Sequence, residues 1–370
     1  MLGDGYRFIS TQPMREERRK LGYDQIGQPV FEFRAHESEQ AREEAQELIA
    51  SADIVIAGSA PESIFRERIR AGKVIFRYAE RLLKQEVGPL ERLYLGLKWH
   101  IKAPVHKPIF LLGAGAYVAG DLHRFGLFKK TSYQWGYFPV AEEIGDSNAF
   151  FAAKKKTMIL WCGRFLSWKH PEYAIEVARR LREEGIQFEM VLIGSGEMEE
   201  QLRQSVASLG LQDWVRMPGA MPPRQVRVYM KEAGIYLFTS GRQEGWGAVL
   251  NESMNSGCAV IASHAIGAVP YLIEDGHNGW IYRSGDVDML YEKVKRTLAN
   301  PEEQSDLGRK AYDTITQLWN AEVAAKRLLE LSKRILSGEK SPDLFENGPC
   351  AKAYPICDGW DSISEGTARK

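Results

Sequence analysis

Three clusters in the second half of the chain set cations, glycines and carboxylates where an apolar run gives way to a helix-like one. The first is Gly163-Arg164-Phe165-Leu166-Ser167-Trp168-Lys169-His170-Pro171. Gly163 allows a tight exit from a strand. Arg164 and Lys169 then stand near a helix N-terminus, whose free backbone amides already favour an anion. Two cations and a helix end suit a diphosphate leaving group, although two solvated surface cations would leave the same spacing. The second cluster, Gly194-Ser195-Gly196-Glu197, is another strand-to-helix turn, and a turn alone would account for it. The third is Glu244-Gly245-Trp246-Gly247-Ala248-Val249-Leu250-Asn251-Glu252. Its glycines let backbone amides come close to a ligand. Its carboxylates, one in the loop and one within the helix, can accept hydrogen bonds from the hydroxyls of a hexose and of a ribose. Acidic residues complementing a helix dipole would explain Glu244 but not Glu252.

The elements that must position these clusters alternate in a simple way. Ala52 to Ala57, Lys73 to Phe76 and Lys107 to Leu112 read as buried parallel strands with helical segments between them. A polar stretch from 141 to 156 reads as a linker. The pattern then restarts with strands at Thr157 to Cys162, Phe188 to Ile193, Ile235 to Thr239 and Ala259 to Ala262, and with helices at Pro171 to Glu184 and Gly247 to Ser256. Such alternation implies parallel sheets covered by helices on both faces, an α/β class. The expected organisation is an N-terminal domain over 1–140, a linker over 141–156, a C-terminal domain over 157–318, a closing helix over 319–340 (Ala321 to Leu336) and an extended tail over 341–370.

Bulk composition narrows the function. The 370 residues are 44% hydrophobic and 26% charged, as expected of packed globular domains. Lysine plus arginine and aspartate plus glutamate both number 49, which removes the basic excess of a nucleic-acid binder. Cys162, Cys258, Cys350 and Cys357 form no C-x-x-C pair, so a reducing cytoplasm fits best. There is no signal peptide or long apolar run, hence no expected membrane span. Between Arg92 and Lys107 there are four cations, Arg92, Lys98, Lys102 and Lys107, with Tyr94 and Trp99 among them and no acid. A peripheral membrane contact and a solvated helix face are both open there.

The run EGWGAVLNESMNSGCAVIAS, with G-R-x-x-x-x-K upstream, resembles the retaining glycosyltransferases of the large group 1 family, similar to family 4. The likeness runs from about Ile159 to Tyr282 and includes Gly267-Ala268-Val269-Pro270 and Asp275-Gly276-His277-Asn278-Gly279; it is weaker over the first 140 residues. It implies two Rossmann-like domains facing a cleft, the GT-B fold, and a UDP- or GDP-linked sugar as donor substrate, with no cofactor and no metal. By resemblance Arg164 and Lys169 neutralise the donor diphosphate, Glu244 contacts the donor sugar and Glu252 binds the ribose. Gly163, Gly194, Gly196, Gly245, Trp246, Gly247, Ala248 and Val249 line the donor site. The implied acceptor is a glycan or a lipid-linked sugar, as in surface or capsular polysaccharide assembly. Asp286-Val287-Asp288 resembles the D-x-D metal motif of another transferase class, but capping of the helix that follows accounts for it better.

The chain departs from that family in two places. Tyr6 to Ser10 reads as a second strand, so the first strand–helix unit of the N-terminal domain is expected to be missing, which would leave that half the less stable and the transfer poor. The segment that often carries a histidine is here Phe76-Arg77-Tyr78-Ala79-Glu80-Arg81. Arg77, Glu80 and His36 are therefore the acceptor-site candidates, with a structural ion-pair cluster as the other reading of the first two. A nucleotide-sugar 2-epimerase and a non-catalytic sugar-nucleotide binder remain the competing functions.

Overall fold

The most apolar runs of the sequence become the centre of a six-stranded sheet. In the computed structural model the described residues are 3–14, 16, 31–356 and 360; Met1, Leu2, Cys357 and the last ten residues of the expected tail lie outside them. Twelve strands occur among the described residues: β1 (Phe8–Ser10), β2 (Glu32–Arg34), β3 (Val55–Ala57), β4 (Ile75–Glu80), β5 (Ile109–Ala114), β6 (Ser132–Trp135), β7 (Lys155–Cys162), β8 (Glu189–Ile193), β9 (Val215–Gly219), β10 (Ala233–Phe238), β11 (Ala259–Ser263) and β12 (Trp280–Tyr282). The helices in chain order are α1 (Glu39–Ser51), α2 (Arg66–Arg70), α3 (Pro89–Lys102), α4 (Tyr117–His123), α5 (Ser147–Ala153), α6 (Glu172–Glu183), α7 (Glu199–Ser208), α8 (Pro223–Glu232), α9 (Ala248–Asn255), α10 (Val269–Leu272), α11 (Val287–Ala299), α12 (Pro301–Asp313) and α13 (Ala321–Leu336).

Contacts divide the chain into two compact units, residues 1–78 with 93–111 and residues 79–92 with 112–370, a division that differs from the boundaries expected from the sequence. β1 and β2 pair in parallel as a two-stranded sheet, and β3 to β6 form a four-stranded sheet in chain order.

The larger sheet has the order β12-β11-β10-β7-β8-β9, and its registered pairs are parallel. Numbered from β7 as first, this is the 3-2-1-4-5-6 order of a dinucleotide-type Rossmann sheet. Side chains alternate between two apolar layers, as a period of two requires. Ile159, Trp161, Met190, Leu192, Ile235 and Leu237 face one layer, where α6 and α11 contribute Ala174, Val177, Leu181, Leu290 and Val294. Met158, Leu160, Val191, Ile193, Tyr236 and Phe238 face the other, against Val226, Met230, Leu250 and Met254 of α8 and α9.

The stretch expected as a linker folds. α5 is capped by Asp146, whose carboxylate accepts the Ala149 amide, and it buries Phe151. Buried Lys154 donates to the carbonyls of Met230, Lys231 and Ala233 and so closes the C-terminus of α8. The tail also packs, although without helix: residues 350–353 run antiparallel to β6, with Gln134 donating to the Ala351 carbonyl at 2.8 Å and Cys350 to the Gln134 carbonyl at 2.9 Å.

Candidate functional site

In a sheet of this order the chain turns in opposite directions after the first and fourth strands, leaving a crevice at their carboxyl ends. Those strands are β7 and β10, and they end at Cys162 and Phe238. The first motif leaves β7 and the third leaves β10, so the topology brings together residues some 75 positions apart. The Lys169 ammonium meets the Glu244 carboxylate at 2.5 Å, both mostly shielded from solvent. Ser240 donates to the same Glu244 oxygen at 3.1 Å. Thr239 donates to the Lys169 carbonyl at 2.6 Å and accepts from the Trp161 indole at 2.8 Å, while the Gly241 amide reaches the Trp168 carbonyl at 2.8 Å. The two loops are thus laced to each other by backbone as well as by charge. Thr239 and Ser240 were not singled out in the sequence; their position directly after an apolar strand is the signal that could have found them.

Gly247 opens α9 with a positive φ of 89°, a conformation that disfavours any Cβ, and the Phe238 ring fills the space a Cβ would need. The amides of Ala248 and Val249 fall in the first turn of α9, where no carbonyl lies one turn back to accept them. Gly245 is buried, as is Trp246, whose indole donates to Asn251 at 2.8 Å and packs on Trp319. Trp246 therefore anchors the loop, its carbonyl also accepting the Ala268 amide at 3.2 Å. Gly267 donates to the Glu244 carbonyl at 3.2 Å, which fixes the loop from its other side.

Gly163 donates to the Ile193 carbonyl at 3.0 Å and Phe165 to the Ser195 carbonyl at 2.8 Å, so the second motif lies against the first. A Cβ on Gly194 or Gly196 would strike the Gly163 or Phe165 backbone, which is why both positions are glycine. Arg164 is exposed and, among the described residues, in no ion pair.

Glu252 sits in α9 with its carboxyl raised by burial, against the pull of Arg227. Cys162 shows the same neighbourhood: burial first, and then the Glu252 charge, push its thiol up to about 12, while Lys169 opposes them. Tyr236 is likewise raised by burial together with Cys162, Glu252, Cys258 and Glu244. The Glu252 charge is thus felt at Cys162 and Tyr236, toward the ends of β7 and β10.

The acceptor candidates lie differently. Arg77 is buried in the first unit; it pairs with Glu62 at 2.8 Å and donates to the Lys102 carbonyl at 2.7 Å, with Lys102 also on Glu62 at 3.0 Å. Burial lowers its pKa while Glu62 opposes. It is engaged as a structural cluster. His36 is half-buried in the turn before α1. Glu80 belongs with the second unit and reaches the loop of the third motif: it accepts from the Tyr137 hydroxyl and from Lys84, and a Cβ on Gly245 would fall 2.6 Å from its carboxylate. Burial pushes the Glu80 carboxyl up, but the Lys84 and Tyr137 hydrogen bonds bring it below its ordinary value. Asp286 caps α11 by accepting the Met289 amide at 2.8 Å, and Asp288 pairs with Arg180 at 2.6 Å.

Residues 145–314 match the model of the family "Glycosyl transferases group 1". Among curated proteins the chain is 31% identical over 182 residues to the amylovoran biosynthesis glycosyltransferase AmsK of Erwinia amylovora, a stretch covering 48% of this chain and 44% of that protein. The chain spans less than half the length of the curated relatives it matches first. Among solved structures it is similar to Anabaena Alr3699/HepE in complex with UDP, with a TM-score of 0.63 and 16% identity over 85% of this chain and 89% of that one. It is also similar to a glycosyltransferase from Rickettsia africae ESF-5, with a TM-score of 0.64 and 13% identity over 90% of this chain and 92% of the other. The fold is the two-Rossmann GT-B fold of such glycosyltransferases. No helix of the described residues is long and apolar enough to cross a membrane.

Proposed function

We propose that the chain is a retaining glycosyltransferase that moves a hexose from a UDP- or GDP-linked donor to a glycan or lipid-linked acceptor, at the cytoplasmic side, in surface or capsular polysaccharide assembly. The observation that carries this reading is the Lys169–Glu244 pair at the point where the sheet order reverses, beside the helix end opened by Gly247. A diphosphate placed there meets Lys169, exposed Arg164 and the first amides of α9. As the bond between the anomeric carbon and the diphosphate oxygen breaks, its electron pair moves onto that oxygen, and these groups stabilise the growing charge. Glu244 is held by Lys169 and Ser240, so its second oxygen can accept from a donor-sugar hydroxyl. Glu252, within α9, takes the ribose. Retention has the acceptor hydroxyl attack on the face the diphosphate leaves and give its proton to the departing phosphate oxygen, with positioning and charge doing the work and no metal or cofactor required. Glu80, against Gly245, is the acceptor-side candidate nearest this loop.

Two similarities support the reading from outside the chain: a relative named for amylovoran biosynthesis and a structural neighbour solved with UDP. The test is a panel of UDP- and GDP-sugars, scored for nucleotide release with and without a lipid-phosphate sugar acceptor, with product analysis. Transferred sugar with retained anomeric configuration is the expected product. Epimerised donor, or donor bound and recovered unchanged, would replace the transferase by one of its two rivals.

A further inference from the structure

Helix α3 turns Gly96 and Trp99 inward and leaves most of its apolar surface in water. Leu90, Leu93, Tyr94, Leu97 and Ile101 are 83, 62, 62, 59 and 73% exposed, and Val105 just beyond is 74% exposed. Positions 90, 93, 94, 97 and 101 recur at steps of three and four, so these side chains form one stripe along the helix. Single exposed leucines are ordinary on a protein surface, whereas a continuous stripe marks something that covers it.

The charges beside the stripe say what that is. From Pro89 to Lys107 the chain carries four cations, two histidines, His100 and His106, and a single carboxylate, Glu91 in the first turn of α3. Lys102 is held by Glu62, and Lys107 donates to the Arg70 carbonyl. Arg92 and Lys98, by contrast, make no ion pair among the described residues. By helical spacing Lys98 and His100 fall on opposite flanks of the stripe, and the Lys98 ammonium stands 5.9 Å over the exposed Tyr94 ring. A second copy of this face would set an excess of cations against the same excess, with Glu91 alone on each helix to pair them. A layer of anionic headgroups over acyl chains satisfies both the cations and the leucines.

The geometry points to α3 as an interfacial helix that lies in the headgroup region of an anionic bilayer, its apolar stripe turned toward the acyl chains and Lys98, on the flank of the stripe, toward lipid phosphates. At about 1.5 Å per residue its fourteen residues lie about 21 Å along the surface, enough for the whole stripe to engage at once. This surface does not depend on the donor reading, because none of its residues belongs to the β7–β10 site.

The test is co-sedimentation of the full chain with vesicles of phosphatidylcholine alone and of equal parts phosphatidylcholine and phosphatidylglycerol. The expected result is binding to the anionic vesicles that weakens with salt, and little binding to the neutral ones. The double variant Leu97→Glu, Ile101→Glu should lose roughly tenfold or more of that binding. Both residues are exposed, so far-UV circular dichroism and Tm should stay as in the parent. Lys98→Glu, a milder change, should weaken binding to anionic vesicles and leave the weak neutral binding alone. Three results would overturn the assignment: no binding of the parent to anionic vesicles, equal binding by the folded double variant, or a parent dimer in light scattering that the double variant disperses.

Discussion

Burial sets Glu252 at odds with the fold that holds it. Its carboxyl is raised in the native chain, so the unfolded chain loses that proton at lower pH than the folded one does. The native state therefore carries its full stability below the ordinary carboxyl range, and loses part of it as pH rises through that range to the raised native value. Glu252→Gln removes this cost, and we expect thermal melts at neutral pH to give a higher Tm than the parent, with the difference vanishing in acid. The same substitution should weaken nucleotide binding, since the lost group is the one assigned to ribose. Lys169→Ala should depress turnover more than it destabilises the fold: unpairing Glu244 lowers Tm, and turnover falls by about a hundredfold or more, because Lys169 acts on charge that appears only as the diphosphate leaves. Steady-state kinetics on a folded variant check this, and near-normal turnover for both Lys169→Ala and Arg164→Ala would remove the diphosphate role. Asp286 and Asp288 are occupied by the α11 cap and by Arg180, so EDTA should leave turnover intact. Loss of activity restored by manganese would revive the metal reading. Arg164, Lys169 and Glu244 stand within seven positions of the ends of the apolar strands β7 and β10, which is why the sequence drew attention to them. The Tyr137–Glu80 contact was not legible, because 57 residues separate its partners and neither neighbourhood carries a local signal.

Among elements, what the sequence revealed follows sheet position. The inner strands β7, β8, β10 and β11 are buried on both faces and read as continuous apolar runs, and they were found within two residues of their ends. The strands that escaped notice are edges: β6, β9 and β12 bound their sheets, and β9 even contains Pro218, which only an edge tolerates. β2 escaped for a related reason, being three half-buried residues with a charge at each end. Closing helix α13 was legible to the residue, since its apolar period and its Asn320 cap agree. The glycines that join strands to helices make a sharper test. Gly247→Ala demands a left-handed conformation, costing about 1–2 kcal/mol, and drives a methyl into the Phe238 ring. We expect it to lower Tm and to abolish donor binding together, because the same turn aims the first amides of α9. Gly194→Ala meets the backbone carbonyl of Gly163, which cannot rotate away, and should be the more damaging of the two by chemical denaturation. Unchanged midpoints for both would show that these turns are not held as described.

Over the whole molecule the tail is where sequence reasoning saw least. Residues 341–356 lack helical or strand periodicity, yet Cys350, Ala351 and Ala353 are buried and their backbone pairs with the edge of β6. Lys352 donates to the Lys130 carbonyl, the Ser341 hydroxyl and the Tyr133 hydroxyl, and Tyr133 donates to the Pro342 carbonyl. Such contacts are long in sequence separation and leave no local trace. Ending the chain at Lys340 should uncover that edge and cost about 2–4 kcal/mol, seen as a lower Tm and a greater tendency to aggregate. The two-Rossmann architecture was legible from strand–helix alternation, but the compact units were not, because residues 79–92 pack with the C-terminal part through contacts such as Arg242 with the Leu83 carbonyl.

The central claim is that loops leaving β7 and β10 form a nucleoside-diphosphate site, and calorimetric titration of UDP and of GDP into the parent chain and into Glu252→Ala tests it most directly. One of the two nucleotides should bind the parent and lose about 1.5–3 kcal/mol with the variant, roughly ten- to a hundredfold in Kd. Binding of neither nucleotide, or equal affinity for a folded variant, would contradict the account.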